Sequence, residues 1–147
     1  MSLTSRRTVV ANYLRTDGGL GPQYRENNLE TLFNLMGVID APAPAAYTAD
    51  ATLTIADLIG GVITASNTSA VALTLPTGTL TDAGVTLSAD QGFTWSVINL
   101  GSSSGAVTMT AGTDHTYVGA AVVAISTSAR FLTRKTAANT YVTYRIS

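Results

Sequence analysis

Between residues 41 and 129 the chain carries neither lysine nor arginine, and its only charged side chains there are Asp50, Asp57, Asp82, Asp90 and Asp114. Thr, Ser, Ala, Val and Gly fill the space instead. Such a stretch favours short strands over solvated, charge-studded elements, because β-branched residues suit a pleated, half-buried surface. Charged residues make up 12% of the whole chain, against about 25% in ordinary globular domains. Hydrophobic content is 46%, which excludes disorder, since disorder needs low hydrophobicity and high charge. A surface this neutral fits a β protein that hides part of itself in a partner.

The charges that exist are segregated. Arg6, Arg7, Arg15 and Arg25 lie at the start with Asp17, and Arg130, Arg134, Lys135 and Arg145 lie at the end with no acid among them. Net charge is −1, so a nucleic acid partner is not expected. The C-terminal bases and aromatics read instead as a solvated or subunit-facing strand pair. No apolar run approaches the roughly 18 residues of a membrane span, and no membrane partner is expected. The absence of cysteine removes disulfides and thiolate chemistry. The "SRRTVV" near the start lacks the apolar stretch that an export signal needs, so synthesis in the cytoplasm is expected.

Pro42 and Pro44 divide the chain, because each fixes its backbone and removes a donor. Residues 1–46 read as an extended N-terminal arm ending in a linker over residues 40–50, and residues 47–147 as a β body. The arm holds one short helix. Leu29, Leu32, Phe33 and Met36 recur at helical spacing. Asn27 and Glu30 have capping-box spacing, and Gly37 suits the helix end. A helix this short is marginal alone, so its apolar stripe must dock. Arg6, Arg7, Arg15, Arg25, Leu29, Leu32, Phe33 and Met36 are therefore the expected contacts with a partner protein or sister subunit.

The body reads as strands. Residues 61–66 and 70–76 flank the turn-forming Asn67-Thr68-Ser69 as a hairpin, preceded by a short turn at "ADLIGG". Phe93, Trp95 and Val97 alternate with polar neighbours, and Val107 and Met109 share a face. "AAVVAIS", "ARFLTRK" and "TYVTYRI" follow, the last two joined by the turn "TAANT". In the last of these Val142, Tyr144 and Ile146 are expected to face inward. The fold expected is mainly β, an antiparallel β-sandwich or barrel. No tandem repeat of fixed period is visible.

Chemistry is sparse. His115 is the one histidine and follows Asp114, but neighbours on a strand face opposite ways, so they do not form a Ser-His-Asp triad. His115 reads as a surface residue. No converging ligand set, phosphate loop or dinucleotide fingerprint occurs. No catalytic residue, metal or cofactor is expected. Asn67-Thr68-Ser69 matches a glycosylation acceptor and reads more simply as a turn.

The runs "TLTIADLIGGVIT", "VALTLPTG", "FTWSVIN", "VTMTAG", "SARFLTRK" and "TYVTYRI" occur in an order that resembles the small β proteins of tailed bacteriophages known as capsid decoration, cement or head-fibre proteins. The resemblance covers residues 47–147. It implies a virion structural protein that is not an enzyme, sits on the outer surface of the capsid as a homotrimer and binds the major capsid protein. The alternative it leaves open is a trimeric fibre or tail-associated protein. A host-glycan binder using Trp95 and the tyrosines is a third reading.

Overall fold

The structure is a computed structural model that describes residues 41–102 and 104–147. The expected arm contacts Arg6, Arg7, Arg15, Arg25, Leu29, Leu32, Phe33 and Met36 lie outside the described residues, as does the helix expected there.

A compact unit runs over Ala43–Ser147. Its strands are β1 (Ala45–Tyr47), β2 (Ala51–Thr52), β3 (Val62–Ala65), β4 (Val71–Thr74), β5 (Gly92–Asn99), β6 (Val107–Thr110), β7 (His115–Val118), β8 (Val122–Val123), β9 (Ser128–Ala137) and β10 (Thr140–Arg145). Two short helices, α1 (Ile55–Gly60) and α2 (Gly78–Gly84), interrupt them. A six-stranded sheet has the order β1-β3-β5-β9-β10-β7, and a four-stranded sheet the order β2-β4-β6-β8. The two sheets share one core, with Ile63, Trp95, Val97 and Phe131 from the first and Val71, Leu73, Val107, Met109 and Val123 from the second. The body is thus mainly β and two-layered.

The pairing corrects the expected antiparallel order. Up to β8 successive strands alternate between the sheets, and like strands stack in parallel: β1 on β3 on β5, and β2 on β4 on β6. The chain therefore winds, laying one strand in each sheet per turn. Ala45 lies beside Ile63 and Ile63 beside Val97 in one sheet, while Ala51 lies beside Leu73 and Leu73 beside Met109 in the other. The turns differ in length because α2 and the loop after it extend the second, from β3 round to β5, which hides the winding from any fixed-period search. Among the described strands, only the β6–β8, β5–β9 and β9–β10 pairs are antiparallel. The hairpin expected over residues 61–76 does not form, since β3 and β4 belong to different sheets and the Asn67 turn crosses between them.

Local chemistry explains both helices. The "ADLIGG" segment, expected as a turn, is α1. Thr54 Oγ1 accepts from the Asp57 N–H (3.2 Å), and Asp57 Oδ2 accepts from the Thr54 N–H (2.7 Å), a complete capping box. Gly61, at φ +87°, ends the helix with its N–H on the Leu58 carbonyl. Thr77 caps α2 through the Leu80 N–H at 3.2 Å. Gly78, the first residue of α2, lies so close to the β9–β10 turn that a Cβ there would overlap the Asn139 carbonyl. Gly78→Ala is therefore expected to cost at least the usual ~1–3 kcal/mol of overpacking. Urea denaturation monitored by circular dichroism measures this, and an unchanged midpoint would refute the contact.

Other strand readings divide. Trp95 and Val97 point inward, as do Val107 and Met109. The "AAVVAIS" run gives only the two-residue β8, and part of the expected linker is β1. In β10 the expected faces are exchanged: Tyr141 and Thr143 are fully buried, Val142 and Tyr144 are half-buried, and Ile146 is 50% exposed. Their register sets this. Tyr141 lies between His115 and Lys135, and Thr143 between Tyr117 and Thr133, on the core side of the sheet.

Candidate functional site

Buried hydrogen-bonding groups inside the body mark either chemistry or architecture. His115, expected at the surface, is buried at 3% exposure. Its Nδ1 lies 3.0 Å from the Pro76 carbonyl and its Nε2 2.7 Å from Thr143 Oγ1. Thr143 Oγ1 is 2.7 Å from Thr133 Oγ1, which accepts from the Trp95 indole N–H at 2.9 Å. Proton order along this chain is forced. A carbonyl only accepts, so Nδ1 carries the ring proton and Nε2 accepts from Thr143. Thr143 has then spent its proton, so Thr133 donates to Thr143. Burial pushes the imidazole pKa down, and the bond to Pro76 offsets only part of that. The ring is a neutral link in a line that ties β5, β9, β10 and β7 together.

Two carboxylates act as clasps. Asp82 on α2 accepts from the Tyr141 hydroxyl, from Lys135 Nζ and from the Asn139 N–H (2.9 Å). Lys135 and then Tyr141 hold its pKa down at about 2, while burial and, after it, the Asp82 carboxylate push the Tyr141 phenol up. Asp57 takes the Tyr47 hydroxyl at 2.7 Å beside its capping bonds. Partial burial pushes Asp57 up, but Tyr47 and Thr54 together bring it below the usual carboxylate range, and Tyr47 is raised to about 12. Each helix is thereby pinned to the sheet it follows or precedes.

At the opposite rim Asn67 and Asn99 are buried. Both amides donate to the Gly105 carbonyl, at 2.9 and 3.0 Å, and Asn99 also donates to Val123. The Asn67 amide nitrogen, committed to two carbonyls, is in no position to carry a glycan. Trp95, at 1% exposure, cannot stack a saccharide. No group of three or more His, Cys, Asp or Glu able to hold a metal occurs among the described residues. None of the described helices is long and apolar enough to cross a membrane.

The outer faces carry what the interior does not. Strand register arranges the outer face of the six-stranded sheet in rows. Val62, Ser96 and Arg130 form one. Thr94, Leu132, Tyr144 and Val118 form the next, and Gly92, Arg134, Val142 and Thr116 the third. A further row holds Ala46, Thr64, Ile98 and Ser128. None of these positions is acidic. The outer face of the four-stranded sheet presents Thr52, Thr74 and Thr110 in one row and Ala72, Thr108 and Val122 in another. Thr74 and Thr110 share a hydrogen bond of 2.8 Å. No family model, curated protein or solved structure matches the chain.

Sequence reading missed the buried threonines and asparagines. Thr133 and Thr143 have no distinguishing neighbours, and only their pairing makes them part of a line. The rows were equally hidden, since each draws on strands far apart in the chain.

Proposed function

We propose that the chain is a virion structural protein, a capsid decoration protein that binds the assembled shell of major capsid protein and stabilises it. The observation that carries this reading is the contrast between interior and surface. The titratable side chains inside the body, His115 and the Asp82 and Asp57 clasps, have their bonding capacity committed to holding strands and helices together. The paired rows of both outer faces present mainly methyl and hydroxyl groups, with Arg130 and Arg134 their charged positions on the larger sheet. A rigid body with broad faces of this kind is suited to being bound rather than to transforming a ligand. The resemblance of residues 47–147 to phage decoration proteins points the same way.

A protein that binds only the assembled shell stabilises it by mass action, in proportion to RT ln(1 + [L]/Kd). As a homotrimer it would bridge several shell subunits at once. The parallel stacking of strands along one direction favours a second reading, a trimeric fibre or tail-associated protein, because such a winding extends by adding turns. Quantitative mass spectrometry of purified virions of the phage that encodes the chain separates them. A copy number comparable to that of the major capsid protein is expected. A handful of copies per particle selects the fibre, and absence from the particle overturns both.

A further inference from the structure

We propose that the outer face of the six-stranded sheet is the surface that meets the shell, and that it fits an acidic protein surface bearing apolar side chains. This rests on the decoration reading and adds to it the face and the chemistry of its partner.

Three observations carry the inference. The row Thr94–Leu132–Tyr144–Val118 crosses four adjacent strands, a span of about 14 Å at the usual strand spacing. Its apolar members are partly open to solvent, with Val118 44% exposed. A guanidinium flanks the row on each side, Arg130 in the row before it and Arg134 in the row after it. None of the paired positions in these rows is acidic, and Asp90, which meets Arg134, comes from the loop before β5.

Arg130 rests against the Thr94 hydroxyl at 3.5 Å. Arg134 pairs with Asp90 from the neighbouring loop, and that pair is exposed on both sides. An exposed pair contributes little to stability, so Arg134 can exchange Asp90 for a carboxylate of the partner at small cost. An apolar strip between two cations demands the complement: apolar contacts in the middle and acids on both flanks. The same face of a second copy is the wrong complement, because self-pairing sets guanidinium against guanidinium. The four-stranded sheet is a poorer candidate. Its outer rows hold no cation, and its central threonines already satisfy each other.

The test uses the full-length chain and shells of the phage that encodes it. Co-sedimentation gives the affinity at increasing salt. Arg130→Glu combined with Val118→Glu should weaken binding by about tenfold or more, since it sets like charge against an acidic partner. Arg130→Gln should weaken it less and flatten the salt dependence. Thr74→Glu, on the other sheet, should bind as wild type. Melting temperatures close to wild type establish that the variants fold, and Arg130→Gln, which adds no charge, keeps the test open if the double variant does not.

Wild-type chain that ignores the shells overturns the decoration reading and this inference with it. Wild-type binding matched by the Arg130 variants, or lost in Thr74→Glu alone, overturns only the choice of face. If Arg130→Glu converts an oligomer of the unbound protein to monomer, the face belongs to a second copy. If Tyr144 resists iodination in the unbound monomeric chain, the chain's own residues 1–40 occupy the face. Either result rejects the shell as occupant.

Discussion

Trp95→Ala should cost about 3–5 kcal/mol of folding stability, the range for deleting a large buried aromatic. Total stability of a domain is usually about 5–15 kcal/mol, so this one change is expected to bring the body near the edge of folding. The ring is 1% exposed and stacks on Phe131 with centroids 4.5 Å apart. Its indole N–H is the first donor in the line that ends at Pro76. Trp95→Phe separates the two contributions, because it keeps most of the apolar area and removes the donor. Its cost should fall near the roughly 1 kcal/mol of one hydrogen bond plus a small cavity. Urea denaturation followed by circular dichroism measures both. A loss under about 1 kcal/mol for the alanine variant would contradict the burial of the ring.

The second large effect is a loss of stability in mild acid. His115 has a depressed pKa in the folded chain and about 6.5 when unfolded. At pH values between these two the unfolded state binds the extra proton, so stability falls as pH drops below 6.5 and levels off beneath the folded value. The slope approaches about 1.4 kcal/mol per pH unit. Geometry supplies the cause. A protonated Nε2 must donate to Thr143, which then turns its hydroxyl toward Thr133. Thr133 would accept from both Trp95 and Thr143, leaving its own proton without an acceptor in the line. The groups beside the ring offer no compensation, since the nearby Tyr141 phenol is committed to Asp82, itself held by Lys135. His115→Gln should be less stable at neutral pH but should lose the slope just below pH 6.5. A slope that persists in this variant would assign the titration elsewhere. The Asp82 and Asp57 clasps act in a separate window. Their lowered pKa values give stability that is present above the ordinary carboxylate value and is lost below it, for Asp82 down to about pH 2.

Strand identity was legible in the sequence because alternation is a property of single strands. Trp95 and Val97, and Val107 with Met109, announced their inner face without help from any partner. Sheet membership is different. A short turn such as Asn67-Thr68-Ser69 looks alike whether it closes a hairpin or carries the chain from one layer to the other, so the parallel winding left no local mark. The exchanged faces of β10 have another cause. Tyr141 and Thr143 look like surface residues, yet their hydroxyls are consumed inside the fold by Asp82, Thr133 and His115. Helix α1 was readable after all, because Thr54 and Asp57 have the capping-box spacing. The rows of the outer face could not be read, since Val118, Tyr144, Leu132 and Thr94 become neighbours only through three pairings.

The position of β10 between β9 and β7 has a consequence for biosynthesis. Translation delivers β7 before β9 and β10, yet β7 enters the larger sheet only by pairing with β10. A nascent chain that has not yet extruded Arg145 therefore holds β9 with one edge unfilled and β7 with no strand beside it. His115 waits in that intermediate without Thr143, and Thr133 without its acceptor. Such unpaired edges are what other chains add to. The pace at which residues 140–145 clear the ribosome sets how long each new molecule stays open to misassembly.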